Sequence, residues 1–329
     1  MEEVYPKEMK KVENSEYKTT LTFRSGKENK LSQMLIYHIF EGLDLVYNKF
    51  NTYISPKPST EMKKEYIEIN YCKRGVFECK TENGRYLYLS EGEMASNIST
   101  IKRETSNFTI GYYEGIELII DIDKLKKSIP NMFEMLIQNI ENLKKVLKEN
   151  ELGIVLKPIK EMVHIFDELY VMNPEKAEIH TKLKVLELLL VFTAIPLDSR
   201  NKQKVYLDKA QIDKIKKIHE EITANLDKKV TIEMLSKIYD IGTTTLKVYF
   251  KEIYGQPIYT YLKDYKIHTS LHLLEETDKN VNEIAGMLGY DNSSKFSKVF
   301  KDKMGCTPIE YRKQKVHLEH ERLFGVEIE

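Results

Sequence analysis

The chain has 329 residues, which is long enough for two domains that each bury a core. Its 51 Lys and Arg residues equal its 51 Asp and Glu residues, so bulk charge does not draw it to polyanions. The 3 cysteines have no metal-site spacing, and their odd number argues against a disulfide framework, which favours a reducing cytoplasm. The sequence contains no signal-peptide core and no apolar run of roughly 20 residues, so we expect no membrane span.

Short β-type runs separated by turn residues begin at Glu65 and continue to Asp121. Residues 66–71 alternate between apolar and polar side chains, as a half-buried strand does. Residues 82–84, Glu-Asn-Gly, are a hairpin signal. Several short strands at this spacing predict a small β-barrel or sandwich. Residues 1–30 are charged and show no clear pattern.

Helices are predicted over residues 122–196, because apolar residues recur there at three- and four-residue steps. The apolar stripe is widest after Leu186. A broad apolar stripe is more often a core face than a partner surface. This stripe is wider than one contact face requires, however, so we favour it as the dimer interface, formed by Leu186, Leu190 and Phe192. The polar residues 198–206 predict an interdomain linker.

A helix-turn-helix pattern lies near the C-terminus. Ala285 is small enough for a close helix crossing, Gly289 permits a tight turn, and Asn292 can cap the next helix. Phe296 and Phe300 are four residues apart and share the face that anchors this helix to the core.

A second copy of the pattern lies upstream. Leu246 and Phe250 match Phe296 and Phe300 at a distance of 50 residues, which indicates a duplicated unit. Residues 258–274 separate the copies, contain no Gly or Pro, and predict one connecting helix.

The second helix of each unit exposes hydroxyl groups and lysines. Lysines on a helix usually form only a solvated face, but their concentration on these two helices favours contact with phosphates and base edges in a major groove. The expected DNA-binding residues are Thr243, Thr244, Lys247, Lys251, Ser293, Ser294, Lys295, Ser297, Lys298, Lys301 and Arg312.

These residues resemble the DNA-binding domain of the AraC/XylS family of transcription regulators over roughly residues 207–315. The second unit matches the family signature at Ile284, Ala285, Gly289, Tyr290, Ser294, Phe296, Phe300, Gly305, Pro308, Tyr311 and Arg312. The first unit departs from the signature at Ser236, Gly242 and Val248. We therefore expect this unit to read its bases less strictly than the second unit does. The resemblance implies a dimeric activator that contacts RNA polymerase.

The motif Leu89-x-x-Gly92-Glu93 is similar to a turn in the cupin-like sensor domains of that family. We therefore predict an α+β fold. Residues 1–197 form a cupin-like β-barrel sensor with a helical dimerisation segment, and residues 207–316 form an all-α domain of two helix-turn-helix units joined by a long helix. Residues 317–329 form an acidic tail.

A cupin-type enzyme fused to a DNA-binding domain is one alternative. Metal-binding cupins need histidine and carboxylate ligands on neighbouring strands, and no histidine lies between Glu65 and Asp121. All eight histidines fall on predicted helices or the tail. His268 and His272 share a helical face, but exposed polar residues explain this pair better than a metal site does. We expect no metal, no cofactor and no enzyme activity.

The leading hypothesis is a cytoplasmic homodimeric regulator that binds double-stranded DNA under the control of a small-molecule effector. The aromatic residues of the β segment suggest a partly apolar effector, although core packing explains them equally well. The candidate effector-binding residues are Tyr71, Phe77, Tyr86, Tyr88 and Tyr112. The other alternative is a regulator without a ligand, whose N-terminal domain serves only for dimerisation.

Overall fold

The computed structural model of the chain describes residues 6, 9–25, 30–56, 64–81, 86–99, 103–149, 153–195 and 209–313. The chain divides into two compact units: Met1–Lys209 with Glu252–Gly255, and Ala210–Lys251 with Gln256–Glu329. The predicted linker, 198–206, and the predicted tail, 317–329, lie outside the described residues.

The first unit is built on an antiparallel sheet, with nine strands in its described part. The strands are β1 (Lys10–Asn14), β2 (Lys18–Ser25), β3 (Lys30–Phe40), β4 (Leu43–Phe50), β5 (Ile67–Thr81), β6 (Tyr86–Ser90), β7 (Met94–Ile98), β8 (Arg103–Ile120) and β9 (Ile154–Leu156). Their order across the sheet is β1-β2-β3-β4-β8-β5-β7-β9, and β6 pairs with β5. The two longest strands, β5 and β8, pair with each other at the centre.

Four of these strands precede Glu65, where the sequence predicted the β segment to begin. β1 is exposed along its whole length, so it lacks the alternation of apolar and polar residues that reveals a half-buried strand. β2 has the polar sequence KTTLTFRS, which hides its apolar face. His38 lies on β3, so the expectation that every histidine falls on a helix or the tail was wrong.

Helices cover one face of the sheet. They are α1 (Ile122–Ser128), α2 (Glu134–Glu149), α3 (Lys160–Val171) and α4 (Glu178–Ala194), with a short 3-10 turn at Asn131–Phe133. The apolar residues of this face, such as Leu45, Ile69 and Leu118, form one buried cluster with the helices. We call this the helix-covered face. The unit is thus a sheet-rich α+β domain, and a closed barrel of the cupin type stays a prediction.

The second unit is all-α in its described part. Its helices are α5 (Lys209–Ala224), α6 (Ile232–Ile238), α7 (Thr243–Tyr254), α8 (Ile258–Glu276), α9 (Val281–Met287) and α10 (Ser293–Met304), and residues 308–313 are also helical. The connecting helix predicted over residues 258–274 is present as α8. Of all the helices described, none is both long and apolar enough to span a bilayer.

Candidate nucleic-acid interface

The second helix-turn-helix unit consists of α9, a glycine turn and α10. Asn280 and Glu283 form a capping box at the start of α9. Gly289 has a φ of +70°, and a Cβ there would lie 2.6 Å from the Leu226 carbonyl oxygen. Only glycine therefore fits this turn without strain. The Asn292 side chain accepts a hydrogen bond from the Lys295 amide at 2.8 Å and so caps α10.

Packing fixes which face of α10 points outward. Phe296 and Phe300 are fully buried and pack edge to face with ring centroids 5.8 Å apart. Ser294, Lys298 and Lys301 are exposed and recur at steps of four and three residues, so they share the opposite face.

The first unit, α6 and α7, repeats this design with a shorter turn. Thr231 caps α6 by accepting from the Met234 amide, as Asn280 caps α9. Asp240 takes the place of Gly289, with a φ of +46°, a backbone conformation that Asp tolerates better than most residues. Gly242 replaces the capping Asn292, so α7 begins without a side-chain cap from that position.

The exposed faces of the two units correspond residue by residue at a spacing of 50. Thr244, Lys247, Val248 and Lys251 on α7 are exposed, with Val248 at 51%. Their counterparts on α10 are Ser294, Ser297, Lys298 and Lys301. Thr243 and Ser293 begin the two helices. The two faces therefore offer similar hydroxyl and ammonium groups, but Lys247 corresponds to Ser297 and Val248 corresponds to Lys298.

Ion pairs modify the charge at the start of α10. Asp291 lies 2.8 Å from the Lys295 ammonium and 2.6 Å from that of Lys229. Hydrogen bonds from Lys229, which contributes most, and from Lys295 lower the pKa of Asp291 to about 2. Lys295 is therefore partly neutralised. Lys229 was missed by the sequence prediction, although the pair Lys228-Lys229 precedes the capping Thr231.

Arg312 has a structural position that the sequence did not predict. Its guanidinium donates to the carbonyl oxygens of Leu274, Thr277 and Lys279, at 3.0, 3.3 and 2.8 Å. These carbonyls lie at the end of α8 and just beyond it, where helical partners are missing. Arg312 thus ties the C-terminal residues to the connecting helix, and its contact with DNA stays a prediction.

The five candidate effector-binding aromatics do not come together in the first unit. Tyr71 stacks on Phe166 in the helix-covered core, with ring centroids 4.0 Å apart. Phe77 packs against the cluster on the other face of the sheet. Tyr88 is buried and donates to Glu78 at 2.6 Å, with Tyr86 stacked beside it, while Tyr112 is half-buried and donates to Glu114.

The three residues predicted to form the dimer interface differ in their burial. Leu186 and Phe192 are 4% and 1% exposed and belong to the core of their own chain, so their assignment to a dimer interface was wrong. Leu190 is 43% exposed. The stripe after Leu186 is broad because α4 packs on both the sheet and its neighbouring helices.

Residues 235–314 match the protein-family model described as "Helix-turn-helix domain". The match begins within α6 and covers the rest of both helix-turn-helix units. The C-terminal unit is a helix-turn-helix domain of the AraC/XylS type. Similar proteins include the "HTH-type transcriptional activator RhaR" of Enterobacter sp., 26% identical over 35% of this chain and 38% of that protein. The "F1 operon positive regulatory protein" of Yersinia pestis is 34% identical over 28% of this chain and 31% of that protein.

A solved structure of the C-terminal domain of AraT, a response regulator from Geobacillus stearothermophilus, is 25% identical and covers 31% of this chain and 84% of that chain, with a TM-score of 0.29. The chain spans less than half the length of the two curated relatives. The likeness to the relatives named here thus concerns the AraC-type domain.

Proposed function

We propose that the chain is a transcription regulator that binds double-stranded DNA in a sequence-specific manner through its AraC-type domain. The observation that supports this most strongly is the pair of corresponding exposed faces on α7 and α10. Each face presents hydroxyl groups near the start of its helix and lysines further along it. Hydroxyls can bond to base edges, and lysines can bond to phosphates or to guanine.

The two units contribute unequally in this proposal. On α10, Ser293, Ser294, Ser297 and Lys298 read bases, and Lys301 contacts phosphate. On α7, Thr244 and Lys247 read bases, Lys251 contacts phosphate, and Val248 offers at most a contact to a thymine methyl. The half-site under α7 is therefore read more loosely.

Selection of binding sites from random duplex DNA, followed by titration of variants, tests this function. Ser294→Ala and Lys298→Ala should each weaken binding to the selected site by about 1–3 kcal/mol and relax the preferred sequence. Lys263→Ala is the matched control, because Lys263 is also exposed but lies on α8. Equal affinities for all three variants and the wild type, or no selected sequence at all, would rule the function out.

Control by a small molecule is the second part of the proposal. An effector bound in the N-terminal unit would change which half-sites the protein reaches, and contact with RNA polymerase would make the regulator an activator. RhaR and the Yersinia protein are named as an activator and a positive regulator. The alternative, a ligand-independent regulator in the cytoplasm, predicts that no small molecule raises the melting temperature of the protein.

Dimerisation is the third part. Exposed apolar residues on α4 that remain available to a second copy are Ile179, Leu183 and Leu190, at 76%, 56% and 43% exposure. They recur at steps of four and seven residues and so share one face of the helix. A dimer would raise the apparent affinity for DNA through effective concentration.

A further inference from the structure

The loop between α5 and α6 lies against the turn of the second helix-turn-helix unit. A Cβ on Gly289 would lie 2.6 Å from the carbonyl oxygen of Leu226 and 2.9 Å from that of Asp227. Lys229 follows two residues later in the same loop. The loop therefore brings a lysine that precedes the first unit in the chain to the turn that leads into α10.

One carboxylate joins this loop to α10. The Asp291 Oδ1 atom accepts a hydrogen bond from the Lys229 ammonium at 2.6 Å, and its Oδ2 atom accepts one from the Lys295 ammonium at 2.8 Å. The two ammonium groups are thus held within the span of a single carboxylate. Two oxygens of one phosphate group can bridge ammonium groups at a similar separation. We call Lys229, Asp291 and Lys295 the two-lysine cluster.

The backbone that carries Asp291 is fixed on both sides. The ring of Tyr290 packs against that of Phe296 with centroids 5.4 Å apart, and the Lys266 ammonium lies 5.6 Å from the Tyr290 ring centroid. On the other side, Asn292 caps α10. The folded domain itself therefore sets the position of the carboxylate and of the two ammonium groups bound to it.

The two-lysine cluster carries a net positive charge. Hydrogen bonds from Lys229 and Lys295 lower the pKa of Asp291 to about 2, so the carboxylate is ionised at neutral pH and the two ammonium groups outweigh it. Each ammonium group has three N–H donors and gives one of them to Asp291. The Lys229 and Lys295 side chains are 78% and 64% exposed. Both can therefore donate to an anion that arrives from solution.

The two-lysine cluster borders the face of α10 that is proposed to read bases. Lys295 follows Ser294 and is three residues before Lys298, so the three side chains are neighbours on the helix surface. Ser294 and Lys298 are exposed. A helix that lies in a major groove has the backbone phosphates of the groove edge beside its base-reading face. An anion at the cluster would therefore be a phosphate next to the half-site under α10.

The first helix-turn-helix unit lacks this arrangement. Its shorter turn has Ile241 and Gly242 before α7, and neither residue carries a carboxylate. Thr245 takes the place of Lys295 at the spacing of 50 residues. The cluster therefore distinguishes the two units and strengthens only the half-site under α10.

We propose that Lys229 and Lys295, held together by Asp291, bind one phosphate group of the DNA backbone beside the half-site under α10. Lys229 reaches this phosphate from outside both helix-turn-helix units. Asp291 is a positioning residue, because it holds the two ammonium groups and does not itself contact DNA. The inference rests on the proposed function, since it adds one phosphate contact to the same complex.

Salt titrations of DNA binding by the full chain test this contact. Lys229→Gln should weaken binding about eightfold at about 0.1 M salt and reduce the slope of log affinity against log salt by about 0.9, the value for one phosphate. The loss should be similar for the selected site and for unrelated duplexes, and the selected sequence should not change. Lys229→Arg keeps the charge and should restore most of the affinity.

Lys228→Gln is the matched control. Lys228 is the adjacent exposed lysine and takes no part in the ion pairs with Asp291. The control removes the same charge, so it separates a local contact from the general field of the protein. An equal loss of affinity in both glutamine variants, or an unchanged salt slope in Lys229→Gln, would overturn the proposal.

Duplexes with single uncharged methylphosphonate linkages locate the phosphate without a change to the protein. When the phosphates are replaced one at a time, the wild type and Lys228→Gln should lose affinity at one position beside the half-site under α10. Lys229→Gln should lose much less at that position, because its contact is already absent. If Lys229→Gln loses as much affinity as the wild type at every position, the two-lysine cluster does not bind a phosphate.

The proposed function and this inference fail in different ways. A wild-type protein that selects no duplex sequence would refute the function and the phosphate contact together. A wild-type protein that selects a sequence, with a Lys229→Gln variant that binds it equally well, would refute the phosphate contact alone.

Discussion

Gly289 and Asp240 occupy equivalent turns of the two helix-turn-helix units, with φ values of +70° and +46°. At Gly289 a side chain would meet the carbonyl oxygens of Leu226 and Asp227 at 2.6 and 2.9 Å. At Asp240 the turn is one residue shorter. The similar helices α7 and α10 are thus each preceded by a different type of turn.

Gly289→Ala should destabilise the protein by about 1–3 kcal/mol, because alanine is strained at this φ and its Cβ meets backbone oxygens. Gly286→Ala is a matched control. A Cβ at Gly286 meets nothing within 4 Å, and alanine is the better helix former, so this variant should be slightly more stable. Urea unfolding midpoints compare the two, and equal midpoints would contradict the strained turn.

His219 gives the AraC-type domain a pH dependence. Its Nε2 atom lies 2.8 Å from the Tyr261 hydroxyl, and burial lowers its pKa from 6.5 to about 4. Between these values the unfolded chain binds a proton that the folded chain does not, so stability falls as the pH drops from 6.5 towards 4.

Between pH 7 and pH 4 the His219→Gln variant should lose about 2 kcal/mol less unfolding free energy than the wild type. Glutamine can still form a hydrogen bond with Tyr261 but does not titrate. The control is His268→Gln, because His268 is an exposed histidine of the same domain. Urea midpoints at pH 7 and near pH 4 are compared for both variants. If both lose stability with acid as steeply as the wild type, His219 is not the cause.

At the scale of whole elements, α4 separates residues that the sequence treats alike. Leu186 and Leu190 are both apolar and lie on neighbouring turns, but they are 4% and 43% exposed. Periodicity identifies the apolar stripe of a helix. It does not identify which part of a wide stripe other elements of the chain cover.

Leu190→Glu should give a folded monomer with weakened DNA binding, because the charge faces the proposed dimer surface. Leu186→Glu buries the same charge in the core and should lose several kcal/mol of stability. Sedimentation and thermal melting are measured for both. A fully dimeric Leu190→Glu variant would place the interface elsewhere.

For the candidate effector-binding residues, sequence periodicity likewise does not identify which face of a strand each side chain occupies. Tyr71 and Phe77 have even spacing, which predicts one face of a regular strand. β5 has register shifts between Cys72 and Arg74 and between Gly75 and Phe77. These irregularities interrupt the alternation of faces along the strand, and Tyr71 and Phe77 pack in clusters on opposite faces of the sheet. Such shifts depend on the partner strand and leave little trace in the sequence of β5 itself.

At the scale of the whole molecule, the two helix-turn-helix units were predictable because each copy of the repeated sequence pattern supports the interpretation of the other. The capping Asn292, the turn glycine and the buried phenylalanines lie where the sequence placed them. For Arg312 the sequence predicted only a contact with DNA. Its contacts with the end of α8 depend on residues more than 30 positions away, which local patterns do not reveal.

The central proposal is that α7 and α10 read two half-sites in successive major grooves, roughly 10 base pairs apart, because α8 holds them in one rigid domain. Its most direct test is the affinity of the protein for selected duplexes with about half a helical turn, roughly 5 base pairs, inserted between the half-sites. We predict that the insertion reduces the affinity to that of a duplex with a single half-site. Unchanged affinity after the insertion would contradict simultaneous reading by the two helices.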